Sequence, residues 1–249
     1  MVKGLPEGFE ASVPDPLFVG AYWGDRPEPP VACAERFLVM LDKLELVDPL
    51  LFGDWETVLS NGSGCPVERD SARVAEIFQE SADPHDDSAV VGYLRSFLTG
   101  ESDGWVGAGV TVNCGGARNY VVLDVSHPGH AERPWLDHAR AIVATVVEAW
   151  GPDWAIFANH KLRKAQILRK DTPYVGAVTW FSDRFGAVSP GVDAGAILSR
   201  LHGGTLVDLM DRGELPKEER LLATVKTLDE AGFLTPMSMA HTKPEHSDS

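Results

Sequence analysis

The sequence predicts an α+β fold: a mainly antiparallel sheet flanked by several amphipathic helices. Two observations carry that expectation. Strand-like runs come in groups and do not alternate one for one with helices, as a parallel doubly wound fold would require. Separate windows place apolar residues at a period near 3.6, at 31, 34, 37, 38, 41 and 44 and again at 136, 139, 142, 143, 146 and 147. The 249 residues suffice for a full core. The expected organisation is a loose lead-in over 1–16, one domain over 17–236 and a polar tail over 237–249.

Each element follows from local chemistry. Pro6, Pro14 and Pro16 leave the lead-in without a period. The β-prone run 17–23, closed by Gly24, predicts a strand. Pro30 suits a first helical turn, where its missing N–H would go unpaired anyway, and the helix extends to about Leu46 before Asp48-Pro49 stops it. A short strand is expected over 55–59, a loop over 61–64 and a helix over 71–80 with Val74, Ile77 and Phe78 on one face. Val91, Leu94, Phe97 and Leu98 then fall at helical spacing behind a Ser88 cap, which predicts a helix over 88–98.

The segments 105–113 and 120–125 predict a β-hairpin around Cys114-Gly115-Gly116-Ala117. Pro134 opens a long helix that Gly151-Pro152 ends after Trp150. Strands over 154–158 and 174–181 flank a basic stretch of Lys161, Arg163, Lys164, Arg169 and Lys170. A helix over 194–201, a strand over 205–209 and a helix over 215–230 complete the set. Tyr22, Trp23 and Trp154 are expected in the core.

Charge narrows the function classes. Asp and Glu number 37 against 22 Lys and Arg, a net −15. Such a chain repels phosphate, so nucleic acid and anionic membrane are poor partners and a basic protein is a natural one. Cys33, Cys65 and Cys114 are odd in number and widely spaced, which is neither a disulfide framework nor a zinc motif. The first ten residues hold no apolar run, so the expected compartment is the reducing cytoplasm.

Familiar catalytic patterns are missing. Gly107-Ala108-Gly109 leads into strand-like residues and fails the dinucleotide context. His127-Pro128-Gly129-His130 reads as a turn, without the spacing of a metal site. The Cys65 loop shows no base in sequence to activate a thiol. A small-molecule hydrolase or transferase using a carboxylate or Cys65 remains the alternative to a binding protein. Over 68–103 nine acidic residues stand against three basic ones, Arg69, Arg73 and Arg95. Taken alone that stretch is first a solvated surface; opposite a basic partner it is a docking face.

One cluster carries a resemblance. Gly20-Ala21-Tyr22-Trp23-Gly24-Asp25-Arg26-Pro27-Glu28 resembles the start of the immunity protein 52 family of bacterial polymorphic toxin systems. The likeness continues through Cys33-Ala34-Glu35-Arg36, Asp48-Pro49-Leu50-Leu51-Phe52 and Trp55. Trp150-Gly151-Pro152-Asp153-Trp154-Ala155 and Pro173-Tyr174-Val175-Gly176-Ala177-Val178-Thr179-Trp180 echo it later. The chain departs at Ala177, where the family tends to have Trp, and at Trp180, where Tyr is common.

The resemblance implies an antidote, made beside a secreted toxin and binding it, without catalysis, metal or cofactor. The toxins paired with the family look like nucleases of the restriction-endonuclease fold, whose phosphate-seeking face is basic. It gives the acidic stretch a use, and the candidate toxin-binding residues are Asp83, Asp86, Asp87, Glu101 and Asp103.

Overall fold

In the computed structural model, residues 15–58, 64–80, 92–99, 107–125, 132–167, 169, 172–186, 188 and 196–236 are described. Ten strands form one sheet: β1 (Leu17–Trp23), β2 (Trp55–Val58), β3 (Gly64–Pro66), β4 (Tyr93–Thr99), β5 (Ala108–Cys114), β6 (Asn119–Val125), β7 (Trp154–Asn159), β8 (Val178–Ser182), β9 (Ile197–Leu201) and β10 (Gly204–Asp208). Their order in space is β3-β2-β4-β5-β6-β1-β7-β8-β10-β9, and each neighbouring pair is antiparallel. The helices are α1 (Pro30–Val47), α2 (Pro49–Phe52), α3 (Ser71–Gln79), α4 (Glu132–Trp150), α5 (His160–Lys164) and α6 (Glu218–Glu230). The expected α+β class with a mainly antiparallel sheet is what the chain adopts.

The first strand in sequence lies inside the sheet, between β6 and β7. Alternation sends Val19, Ala21 and Trp23 to one face and Phe18, Gly20 and Tyr22 to the other. The first face is covered by helices. α4 lies on β1, β7 and β8, α3 lies on β4, and α1 packs against both helices. Phe37 of α1 meets Phe97 of β4 at 4.3 Å between ring centroids, and Trp23 stacks on Trp150 of α4 at 5.4 Å. The Trp150 indole N–H points at the Met40 sulfur, 3.2 Å away.

Two expected helices are strands, the strand expected over 174–181 begins only at Val178, and α2, β3 and α5 lie where no such element is expected. The segment expected as a helix over 88–98 contains β4 from Tyr93 onward, and 88–91 lies outside the described residues. Phe97 points into the helix-covered core, while Leu94 and Leu98 stand on the opposite face and are exposed. Outward leucines added to an inward phenylalanine imitate a helical stripe. The helix expected over 194–201 is instead β9 from Ile197 onward. His202 (φ 44°) and Gly203 (φ 71°) form a two-residue turn with both residues left-handed, which folds β9 back onto β10.

The cluster at 20–28 knits distant segments together. The Gly24 N–H donates to Asp153 Oδ2 at 2.8 Å, and the Gly24 carbonyl accepts from Asn119 Nδ2 at 2.6 Å. Arg26 Nη1 donates to the Trp150 and Gly151 carbonyls at 2.7 and 3.3 Å, at the end of α4. Its guanidinium lies 4.7 Å from the Trp23 ring centroid. Glu28 pairs with Arg26 and with Arg36, which itself donates to the Ala149 carbonyl. Gly115 has φ +79°, and a β-carbon there would meet the Glu28 carbonyl at 2.9 Å, so the hairpin turn fits this cluster only as glycine.

Trp23 is 4% exposed and Trp154 is 3% exposed, both in the core as expected. Replacing Trp23 by Ala is expected to cost about 3–5 kcal/mol of unfolding free energy, measured by denaturant titration. A loss below about 1 kcal/mol would contradict this packing.

Candidate functional site

The second face of the sheet is divided. At β7, β8 and β10 it is covered: Trp154, Ile156, Thr179, Phe181 and Val207 are buried. Tyr174 packs edge-on to Trp154 at 4.9 Å, and Phe233, just beyond α6, meets Phe181 at 5.7 Å. At β2, β4, β5 and β6 it is open. The register places Glu56, Leu94, Ser96, Leu98, Thr111, Asn113, Tyr120, Val122 and Asp124 there. Leu94 is 48% exposed and Leu98 is 41% exposed, whereas the inward residues of the same strands are largely buried.

Six of these nine residues are polar; Ser96, Thr111 and Asn113 make the hydrogen bonds that follow, and the Asn113 Oδ1 is buried without a partner among the described residues. The Ser96 and Thr111 hydroxyls share a hydrogen bond of 3.0 Å across β4 and β5. Asn113 Nδ2 donates to the Arg118 carbonyl at 2.7 Å. Glu56 and Asp124 are the charged side chains that the register puts here. Arg95 projects to the opposite side, where Nε donates to the Ile77 carbonyl at 2.6 Å.

A cavity of about 350 Å³ adjoins this face at β1, lined by Pro16, Phe18, Tyr22, Val122, Asp124, His160 and Arg163. Tyr22, expected in the core, is only partly buried and forms part of this wall. Its ring stacks on Trp154 at 4.3 Å and its hydroxyl lies 3.3 Å from that of Tyr174. Arg163 lies 5.5 Å from the Tyr174 ring centroid, and His160 tilts against Phe18 at 5.4 Å. Asp124 is exposed, yet desolvation at the cavity wall pushes its carboxyl above its ordinary range, while His160 acts in the opposite direction. Among the described residues its polar lining is an acid, an imidazole, a phenol and a guanidinium.

The five residues chosen from sequence, Asp83, Asp86, Asp87, Glu101 and Asp103, lie outside the described residues, as do His127 and His130. Their described neighbours in the acidic stretch have local partners. Arg69 pairs with Asp42 and Glu45, Arg73 with Glu68 and Glu76, and Arg95 with Glu80. Asp70 caps α3 by accepting from the Ala72 and Arg73 amides. Cys65 lies exposed on edge strand β3, its thiol 3.9 Å from the Pro66 carbonyl. Among the described residues no group of three or more His, Cys, Asp or Glu is placed to hold a metal ion.

Sequence reasoning missed the open face. The signal was present in Leu94-Arg95-Ser96-Phe97-Leu98, where leucines alternate with the core phenylalanine, but helical spacing obscured it.

The profile of the family described as Immunity protein 52 matches residues 15–237. No curated protein matches the chain. Among solved structures, a T6SS protein of Pseudomonas aeruginosa is similar at 14% identity with a TM-score of 0.47, covering 88% of this chain and 73% of its own.

Ionised Asp124 costs stability, because folding raises its pKa above the unfolded value of about 3.9. That cost is absent below the unfolded pKa and develops as pH rises through the folded one. Asp124→Asn is therefore expected to gain in Tm relative to wild type between about pH 3 and pH 7. A Tm difference constant across that range would refute the assignment.

Proposed function

We propose, from the premise that this chain belongs to the immunity protein 52 family, that it binds a cognate secreted toxin in the cytoplasm of the producing cell and neutralises it by direct contact. The family match over residues 15–237 is the observation that carries this reading. The toxin we propose is a basic nuclease of the restriction-endonuclease fold. The net charge of −15 supports that choice, since a surface built to attract phosphate also attracts carboxylates. A site for neutralisation needs affinity and a fast encounter; it needs no reacting groups. The open sheet face agrees with such a role.

Asp83, Asp86, Asp87, Glu101 and Asp103 are proposed as steering charges. Asp83, Asp86 and Asp87 precede β4 in the chain, and Glu101 and Asp103 follow it. Reversing all five to Lys is expected to slow association with the toxin about tenfold or more at low salt and to flatten the salt dependence of the rate. Stopped-flow or surface-capture kinetics would show it, and an unchanged rate would remove these residues from the encounter.

The direct experiment is co-expression with the toxin domain encoded beside the gene, followed by viability counts and pull-down. Survival together with a co-purifying toxin is expected. Equal killing with and without this protein would overturn the reading.

A further inference from the structure

The geometry points to the open face of β2, β4, β5 and β6 as the surface that seats the toxin, with Leu94, Leu98 and Val122 as apolar anchors and Glu56 and Asp124 as flanking charges. This inference rests on the antidote reading above and specifies where its partner lands.

Four features lead to it. Leu94 and Leu98 are exposed on a strand whose Phe97 and Thr99 are buried on the other face, so burying them requires something outside the described fold. The same sheet face is covered two strands further on, at β7, where Trp154 and Ile156 are buried, so the opening is local. Both charges that the register places on the face are carboxylates, the arginine of β4 is turned away to the Ile77 carbonyl, and Arg163 with His160 stands only at the cavity end beyond Asp124. A basic partner therefore meets complementary charge beside apolar contact, the arrangement of an interface core with a polar rim. Finally, the face continues into the cavity of about 350 Å³ through Val122 and Asp124, giving a partner side chain a recess to fill. Anchors seated in such recesses carry most of the energy of an interface.

Size sets a further condition. Four strands about 4.8 Å apart and about 20 Å long present roughly 400 Å² in projection. A standard interface takes about 800 Å² from each partner, so the toxin must also contact the rim, and the cavity end is the described part that can supply it.

The experiment compares two sets of substitutions against the purified toxin domain encoded beside the gene. One set is Leu94→Ser with Leu98→Ser, and separately Glu56→Lys with Asp124→Lys. The control set, Glu35→Lys with Asp42→Lys, alters charge on α1 by the same amount on the helix-covered side. Tm and circular dichroism establish that each variant is folded. Each face variant is expected to raise Kd at least tenfold, with the α1 control within about threefold of wild type. Hydrogen exchange of the complex is expected to slow in β4, β5 and β6.

Folded face variants that bind as tightly as wild type would overturn the inference while leaving the antidote reading intact. If those variants instead changed only the protein's own oligomeric state, the face would be a contact between copies and the inference would likewise fall. Wild-type protein that does not bind the toxin at all would overturn the antidote reading itself.

Discussion

The architecture depends on one partly buried guanidinium. Arg26 sits where three otherwise separate pieces meet: the strand that centres the sheet, the carbonyl end of α4 and the turn of the β5–β6 hairpin. A helix leaves its last carbonyls without partners, and a cation there is favoured by the helix dipole. Arg26 meets both needs at Trp150 and Gly151. Burial lowers its pKa and Glu28 opposes that shift, so the ion pair is what keeps the charge acceptable in place. The Arg26 amide also donates to the Gly116 carbonyl at 3.2 Å, which ties the hairpin turn to the same point. α4 then fixes its face on β1, β7 and β8, and α1 follows through Met40 and Arg36.

That role explains what the residues of the family resemblance do in this chain. Trp23, Gly24, Arg26 and Glu28 are occupied with one another, with Asp153 and with Asn119. They build the scaffold. Asp153 holds the Gly24 amide on one oxygen and faces Arg184 with the other, linking the start of β7 to the turn after β8. A binding surface can therefore vary on the far side of the sheet without disturbing this knot.

The sequence was legible where one physical signal dominated. The run 17–23, closed by Gly24, became β1 with the same bounds, and the period from Val31 became α1 within a residue at each end. The helix stop at Gly151 is visible because only a residue tolerant of φ +52° continues the chain there cheaply. Reading failed at β4 and β9, for different reasons. At β9 the deciding feature was a His202-Gly203 turn, which lacks the Asn-Gly or Asp-Gly signature that marks such turns in sequence. At β4 the hydrophobic pattern itself misled, because Leu94 and Leu98 are apolar at positions where a solvated strand would be polar. Departures of that kind arise where local pattern serves something other than folding. The candidate surface was hidden in sequence for the reason that makes it a candidate in the structure.

Long-range charge and short-range contact are separated in this chain. The −15 net charge acts over a Debye length of about 8 Å at physiological salt, far enough to orient an approaching basic protein but indifferent to its exact register. Much of the described acidic surface is committed to local arginines, at Arg69, Arg73 and Arg95, and so contributes field more than specific pairing. Register must come from shape and apolar burial, which fade within a few ångströms. On the open face those two requirements meet: leucines and a recess supply the short-range part, and Glu56 and Asp124 repeat the sign of the whole. On the proposed surface Asp124 is the point of coupling, because a cation set beside its carboxyl would lower a pKa that desolvation raises, as His160 already does within the chain.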